Sequence, residues 1–205
     1  FIVRRIGERA YNSFFEPLLV SKFGDSRNDI SAAWLISRIG IRSNRGISGE
    51  SLGYLKGGFH MLVDALSTHV GRQCIIRLHD PVTSITREHG KWNVHGKLYD
   101  TVISTIPPNL LAGSGLPESL SIPYQGAACM LLSLDQDVTS GTYWLNMRER
   151  APYGAVISHT NFVPVERYGE RLVYLASYFQ GTVPVGLDHR MIDDFCQRFH
   201  VDSAA

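Results

Sequence analysis

The hydrophobic residues of the chain recur first at helical spacing and later at strand spacing. Between Phe59 and Val70 the apolar positions fall on one helical face and Asp64 lies on the other, which predicts an amphipathic helix over residues 59–70. Proline is tolerated in a first helical turn, so Pro17 predicts a helix that begins near Glu16. The first third of the chain is therefore expected to be helical.

Capping residues predict two more helices. Ser31 is a candidate N-cap for a helix that ends at Gly40, and Asp188 is a candidate N-cap for a helix that carries Met191 and Phe195. The second of these helices comes after a long extended region. The chain therefore closes on a helix.

Extended segments dominate from residue 74 onward. Strand-type runs are predicted at 74–78, 82–87, 91–95, 101–106, 127–134, 143–147, 154–158 and 171–179. The β-branched run 101–106 is typical of a strand buried on both faces, and His89-Gly90 and His95-Gly96 are turn signals. This order of elements predicts an α+β fold, with one mixed, mostly antiparallel sheet of about six strands and flanking helices.

Composition narrows the class of protein. The 205 residues are 44% hydrophobic and 19% charged, which excludes intrinsic disorder and is consistent with one domain over residues 1–205. The net charge of +1 argues against nucleic acid as the main partner. Because no apolar run approaches about 20 residues, no transmembrane segment is expected.

The cysteines and histidines carry no catalytic or metal-binding pattern. Cys74, Cys129 and Cys196 are widely spaced and odd in number, so a reduced, cytoplasmic chain is expected, with each thiol in the core. The eight histidines form no H-E-x-x-H pattern, and no metal site is predicted. There is also no G-x-S-x-G elbow, so no catalytic residue is assigned.

An ordered set of motifs indicates a function. Tyr54-Leu-Lys-Gly-Gly-Phe59 opens a helix, residues 75–85 follow with Pro81-Val82, and residues 99–107 lead through a β-branched run to Pro107. This order resembles the superfamily of FAD-dependent amine oxidases, protoporphyrinogen oxidases and phytoene desaturases. The stretches 143–147, 157–161 and 172–178 are similar to its protoporphyrinogen-oxidase-like branch.

The resemblance implies a set of contact residues. The cofactor-binding candidates are Val82, Thr105, Ile106, Pro107, Gly57 and Gly58, with the main chain of Val82 expected to pair with the edge of the adenine. The substrate-binding candidates are Tyr143, Trp144, His159, Asn161 and Tyr178, with Tyr174 as a further aromatic residue. An ordinary structural role, in a strand, a turn or the core, remains the alternative for each.

The function implied by the resemblance is that of a middle, substrate-binding segment of a FAD-dependent oxidoreductase that acts on a small molecule. The chain begins with Phe1, and the G-x-G-x-x-G turn that holds a dinucleotide is absent from it. We therefore expect a segment of a longer protein in which residues 74–107 pack toward a FAD-binding Rossmann domain of the same chain. On its own this segment is expected to be inactive and to retain no FAD.

Two alternatives stay open at this stage. A flavin-dependent mutase of the UDP-galactopyranose type needs arginines for a diphosphate, and Arg38, Arg42 and Arg45 are the candidates. The other alternative is a ligand-binding domain that catalyses nothing.

Overall fold

The computed structural model describes residues 2–43, 53–111, 122 and 124–202. The chain divides into two compact units. The first combines Phe1–Leu52 with Tyr124–Ala205, and the second is Gly53–Pro123. The sequence predicted a single substrate-binding domain over residues 1–205, and its assignment to substrate binding stays a prediction.

The first unit begins with a run of short helices. They are α1 (Ile2–Ile6), α2 (Glu8–Ala10), a π-helical turn (Tyr11–Phe15), α3 (Glu16–Phe23), a 3-10 helix (Gly24–Asn28) and α4 (Ala32–Ser43). The predicted start of a helix at Glu16 is confirmed, with Pro17 in its first turn. The oxygen Oγ of Ser31 accepts the N–H of Ala33 at 3.2 Å, as a capping side chain does. Helix α4 runs past Gly40, where the sequence predicted its end, because one interior glycine costs only about 1 kcal/mol.

The second unit contains one helix and one small sheet. Helix α5 (His60–Gly71) confirms the predicted amphipathic helix. Strands β1 (Ile85–Glu88), β2 (Lys91–Val94) and β3 (Lys97–Tyr99) form an antiparallel sheet in that order. Both hairpin turns have positive φ at two successive residues, 49° and 79° at His89 and Gly90 and 51° and 77° at His95 and Gly96. This is the geometry of type I′ turns, so the predicted turn signals are confirmed.

Three strand predictions in the second unit are wrong or partly wrong. Residues 74–78 and 101–106 contain no strand, and the run predicted from Val82 becomes a strand only at Ile85. The side chain of Ile103 is 85% exposed, although the sequence predicted a strand buried on both faces. A β-branched run forms a strand only beside another strand that accepts its hydrogen bonds, and no described strand pairs with these segments.

A four-stranded antiparallel sheet completes the first unit. Its strands are β4 (Gln125–Leu134), β5 (Trp144–Asn146), β6 (Ala155–Ser158) and β7 (Arg171–Gln180), in the order β4-β7-β6-β5. Strands β4 and β7 pair over their full lengths. Helix α6 (Leu187–Phe199) packs on one face of the sheet. The most deeply buried residues of this core are Val156, Val173, Leu175, Met191 and Phe195.

The predicted α+β class is confirmed. The described strands form two antiparallel sheets, of three and four strands, and each sheet is smaller than the sheet of about six strands that the sequence predicted. Among the described helices, none has the length and apolar character needed to cross a membrane.

The expectation that the cysteines lie in the core is wrong for two of the three. Cys74 and Cys129 are exposed and Cys196 is half-buried, and all three are free thiols. Cys129 occupies an outward-facing position of β4, and Cys74 lies where the predicted strand does not form. Strand-like sequence alone therefore misplaced both side chains.

Candidate functional site

The face of the four-stranded sheet that points away from α6 carries no charged residue. We call this the outer face. Directly paired residues of neighbouring strands share a face, and the strand register assigns to the outer face Ala127, Cys129, Leu131, Ser133, Trp144, Asn146, Ala155, Ile157, Leu172, Tyr174, Ala176 and Tyr178. It is a broad surface of aromatic, aliphatic and small polar side chains.

Helix α3 covers only part of the outer face. A Cβ atom on Gly154 would lie 3.1 Å from the Cβ atom of Ser21, so the glycine permits the helix to approach the sheet closely. Away from the helix the face is open: Leu131 is 53% exposed and Trp144 47%. Tyr178 is 37% exposed, and its ring lies 5.5 Å from Nζ of Lys22 on α3. Open apolar surface of this kind is typical of a binding site.

The buried imidazole of His159 lies beside the outer face. His159 begins the 3-10 turn His159–Asn161 that follows β6, and its side chain is buried. Its Nε2 atom lies 2.9 Å from the hydroxyl of Tyr168, and its ring packs edge-on against Tyr174 at a centroid distance of 5.7 Å. Burial lowers the pKa of His159 below the usual 6.5, because the charged imidazolium loses hydration. Burial therefore favours the neutral imidazole, which can donate one hydrogen bond and accept another.

The side chain of Asn161 makes hydrogen bonds within the first unit. Its amide donates to Oδ1 of Asp137 at 3.1 Å and to Oγ1 of Thr139 at 2.9 Å. The carboxylate of Asp137 also accepts the N–H groups of Thr139 and Gly141, at 3.0 and 2.6 Å. Despite some burial, these hydrogen bonds lower the pKa of Asp137 to about 2. Asn161 thereby ties the loop after β4 to the turn after β6, and its role toward a substrate stays a prediction.

Two of the three aromatic substrate candidates lie together, since the ring centroids of Tyr143 and Trp144 are 6.3 Å apart, and Tyr178 lies elsewhere on the sheet. Trp144 pairs with Ile157, next to Tyr174, and its indole N–H donates to Asn146 at 2.9 Å. Tyr178 lies four residues along β7 from Tyr174, which places it roughly 13 Å away on the same face. The ring of Tyr143 packs on Phe162 at 5.1 Å. Trp144 and Tyr178 thus mark two parts of the outer face.

The cofactor candidates all lie in the second unit, outside its strands. Val82 is exposed, and its main-chain N–H and C=O groups bond to no described residue. The same holds for the main chain of Thr105 and Ile106, while the carbonyl of Pro107 accepts the N–H of Leu110 at 3.0 Å. Exposed main-chain groups that bond to no described residue fit the expected pairing with an adenine edge.

Neighbouring contacts fix the loop that carries Val82. The N–H of Thr83 donates to Nε2 of His95 at 3.2 Å, and Nδ1 of the same ring lies 3.6 Å from a carboxylate oxygen of Asp80. Because Nε2 accepts a hydrogen bond, the ring proton lies on Nδ1, toward Asp80. The residues on both sides of Val82 are therefore held to the β2–β3 turn.

The backbone conformation explains why Gly57 and Gly58 are glycines. Their φ angles are 91° and 90°, a region that other residues rarely adopt. A Cβ atom on Gly57 would meet the Cγ atom of Met61 at 3.0 Å, so the space beside it is already filled by the chain itself. These glycines shape the entry into α5, and a contact with a cofactor stays a prediction.

Other candidate chemistry is sparse. Within the described ranges, no group of three or more histidine, cysteine or acidic side chains is placed to hold a metal ion. Of the arginines proposed for a diphosphate, Arg38 lies with its guanidinium 5.7 Å from the ring of Trp34, Arg42 lies on α4, and Arg45 falls outside the described residues.

Sequence reasoning missed Tyr168 and Asp137 as parts of the site. Tyr168 follows His159 by nine residues through a loop, and this spacing matches no regular element. The spacing of Asp137, Thr139 and Gly141 did carry a signal, because an aspartate that precedes such a turn commonly accepts its N–H groups.

The similarity to a known family covers more than half of the chain. Residues 2–138 match the family model described as flavin containing amine oxidoreductase. The match spans helices α1 to α5, the three-stranded sheet and strand β4. No curated protein and no solved structure gives a significant match.

Proposed function

The chain belongs to the flavin-containing amine oxidoreductases, and from that premise we propose that it is the substrate-binding segment of a FAD-dependent oxidoreductase. The observation that carries this proposal is the outer face, a wide and partly open surface whose strand residues are all uncharged. Such a surface suits a flat or long apolar substrate. A cytoplasmic location is part of the same proposal.

The second unit is proposed to contribute to the cofactor site. Val82, Thr105 and Ile106 would hold FAD through main-chain N–H and C=O groups, and this is supported by the lack of hydrogen bonds from those groups to described residues. When bound, FAD would accept a hydride from a substrate C–H bond, so that the flavin is reduced while a neighbouring C–N or C–C single bond is oxidised to a double bond. The protein's own part is to bind the substrate, orient it and exclude water.

On the outer face, each candidate residue has a separate task in this proposal. Trp144 and Tyr178 provide aromatic surface against which the substrate stacks. His159, whose neutral form is favoured by burial and whose ring is oriented by the hydroxyl of Tyr168, provides a polar group at the edge of that surface. No proton transfer is assigned to it.

The segment 74–107 is proposed to pack against a FAD-binding domain. This is supported by its exposed apolar side chains, among them Ile75, Leu78 and Ile103. The pyrophosphate of a dinucleotide is normally held by a glycine-rich turn at a helix N-terminus, and that motif does not occur in these 205 residues. The 205-residue chain alone is therefore expected to be inactive and to bind FAD weakly.

Titration of the purified 205-residue chain with FAD tests the cofactor part of this proposal. We expect a colourless protein and no saturable quenching of flavin fluorescence at micromolar FAD. Tight, stoichiometric binding by this chain would overturn the assignment of the pyrophosphate site to sequence outside it.

The substrate part is tested in the complete gene product once a substrate is identified. We expect Trp144→Ala and Tyr178→Ala to raise KM about tenfold, which is a loss of about 1.4 kcal/mol of binding, and to leave kcat within about threefold. Phe14→Ala is the matched control, because Phe14 is an exposed aromatic residue of the same unit that lies off the outer face. An unchanged KM in both variants would show that the outer face does not bind the substrate.

A further inference from the structure

Lys22, near the end of α3, places its ammonium group among three aromatic rings of the first unit. Its Nζ atom lies 5.9 Å from the ring centroid of Phe23, 5.2 Å from that of Trp34 and 5.5 Å from that of Tyr178. All three distances fall within the roughly 6 Å over which an aromatic face attracts a cation. We call Phe23, Trp34 and Tyr178 the aromatic cage.

Three different elements build the aromatic cage. Phe23 ends α3, Trp34 lies in the first turn of α4, and Tyr178 lies on β7. The rings of Phe23 and Trp34 meet edge to face, with centroids 5.1 Å apart and planes at 84°. They form two walls at nearly a right angle, and Tyr178 adds a third.

The walls are held in place by contacts other than those of the Lys22 ammonium. Gln125 and Gln180 are directly paired across β4 and β7 at the end of the sheet. The side-chain amide of Gln125 donates to the carbonyl oxygen of Lys22, and that of Gln180 donates to Oγ of Ser26. These bonds fasten the helical segment to the sheet, so the cage keeps its shape when the ammonium leaves.

We propose that the aromatic cage is a binding site for an organic cation, an alkylammonium or methylated ammonium group, and that Lys22 occupies it as a displaceable internal ligand. Sets of aromatic rings around one point recognise such cations, because each ring presents its negative face to the charge. The resident lysine is itself a primary alkylammonium, which shows the size and charge that the cage accommodates. The proposal does not involve flavin, and of the residues assigned to the substrate surface it uses only Tyr178.

A tethered occupant competes with any ligand from solution. Because Lys22 is attached beside the cage, its effective concentration there is high, and it weakens the apparent affinity for an external cation. Removal of the side chain removes this competitor and leaves the three rings. Lys22→Ala is therefore expected to bind tetramethylammonium more tightly than the unchanged chain does.

An NMR titration with tetramethylammonium chloride measures this affinity. It follows the indole N–H signals of Trp34, Trp92 and Trp144. In Lys22→Ala we expect the Trp34 signal to shift saturably, with an apparent Kd at least about tenfold lower than in the unchanged chain. Trp92 is an internal control, since its ring already stacks with the guanidinium of Arg87 at 4.2 Å and lies in the other unit. Equal concentrations of sodium chloride control for ionic strength.

A second measurement uses the unchanged chain, in case Lys22→Ala does not fold. When tetramethylammonium enters the cage it should displace the Lys22 ammonium, and the acylation rate of Lys22 should then rise relative to that of the exposed Lys56. Tetramethylammonium itself cannot be acylated, so it does not consume the reagent. Peptide mass spectrometry measures both rates. The proposal is overturned if the folded Lys22→Ala chain shows no saturable Trp34 shift, or if acylation of Lys22 is unchanged at high tetramethylammonium.

Discussion

The hydroxyl of Tyr168 lies 2.9 Å from Nε2 of His159, and this contact orients a buried imidazole beside the outer face. Burial lowers the pKa of His159 below 6.5 in the folded state. The unfolded chain therefore binds a proton at a pH where the folded chain does not. The resulting stability is fully present above the unfolded pKa and is lost as the pH falls through 6.5 toward the folded pKa.

This relationship predicts a lower melting temperature at mildly acidic pH. The Tm of the 205-residue chain should fall between about pH 7.5 and about pH 5, and the fall should be smaller in His159→Gln. Differential scanning calorimetry across this range measures the effect. His189→Gln, which removes an exposed imidazole of α6, is the matched control for the loss of a histidine side chain. Identical pH profiles for His159→Gln and the unchanged chain would show that folding does not lower the pKa of His159.

Asp137 predicts a second effect, in a lower pH range. Its carboxylate accepts hydrogen bonds from Thr139, Gly141 and Asn161, and its pKa falls from 3.8 to about 2 on folding. Stability from this group is present above pH 3.8 and is lost as the pH falls from there toward about 2. Asp137→Ala should destabilise the chain by about 1–2 kcal/mol at neutral pH, as measured by urea unfolding.

The neighbouring Asp135→Ala is the control for Asp137. Asp135 is exposed, and its replacement should change stability by less than about 0.5 kcal/mol. Equal effects of the two substitutions would show that the hydrogen bonds of Asp137 add nothing to stability.

The pair Gly126 and Phe179 predicts a steric effect within the four-stranded sheet. They are direct partners across β4 and β7, and a Cβ atom on Gly126 would lie 2.3 and 2.4 Å from two atoms of the Phe179 ring. Gly126→Ala must displace that ring and should cost about 1–3 kcal/mol. In a Phe179→Leu background the same substitution should cost clearly less, and a double-mutant cycle by urea unfolding measures the difference. A cost independent of residue 179 would refute the close packing.

The local features of this fold could be predicted from the sequence, because neighbouring residues determine them. The positive φ angles at His89-Gly90 and His95-Gly96 follow from turn chemistry, and the amphipathic helix α5 follows from its apolar period. The run 101–106 misled the prediction because its β-branched residues favour a strand without supplying a partner for it. Sheet formation depends on what lies beside a segment, which a local pattern does not contain.

The candidate site was also predictable only in part. Trp144 and Tyr178 were predicted as aromatic residues of strands, and the register places them on one face of the sheet. The contact of Tyr168 with His159 depends on the path of a loop, and the approach of Lys22 to Tyr178 joins residues far apart in sequence. Both depend on tertiary packing, so no sequence motif announces them.

The absorbance spectrum of the complete gene product shows whether this chain is part of a flavin-dependent oxidoreductase. We expect a yellow protein with the two flavin bands of the near-ultraviolet and blue regions. Denaturation should release FAD in a ratio near one per chain. A complete gene product that is folded and colourless, releases no flavin and stays colourless after incubation with FAD would contradict the flavin-dependent function.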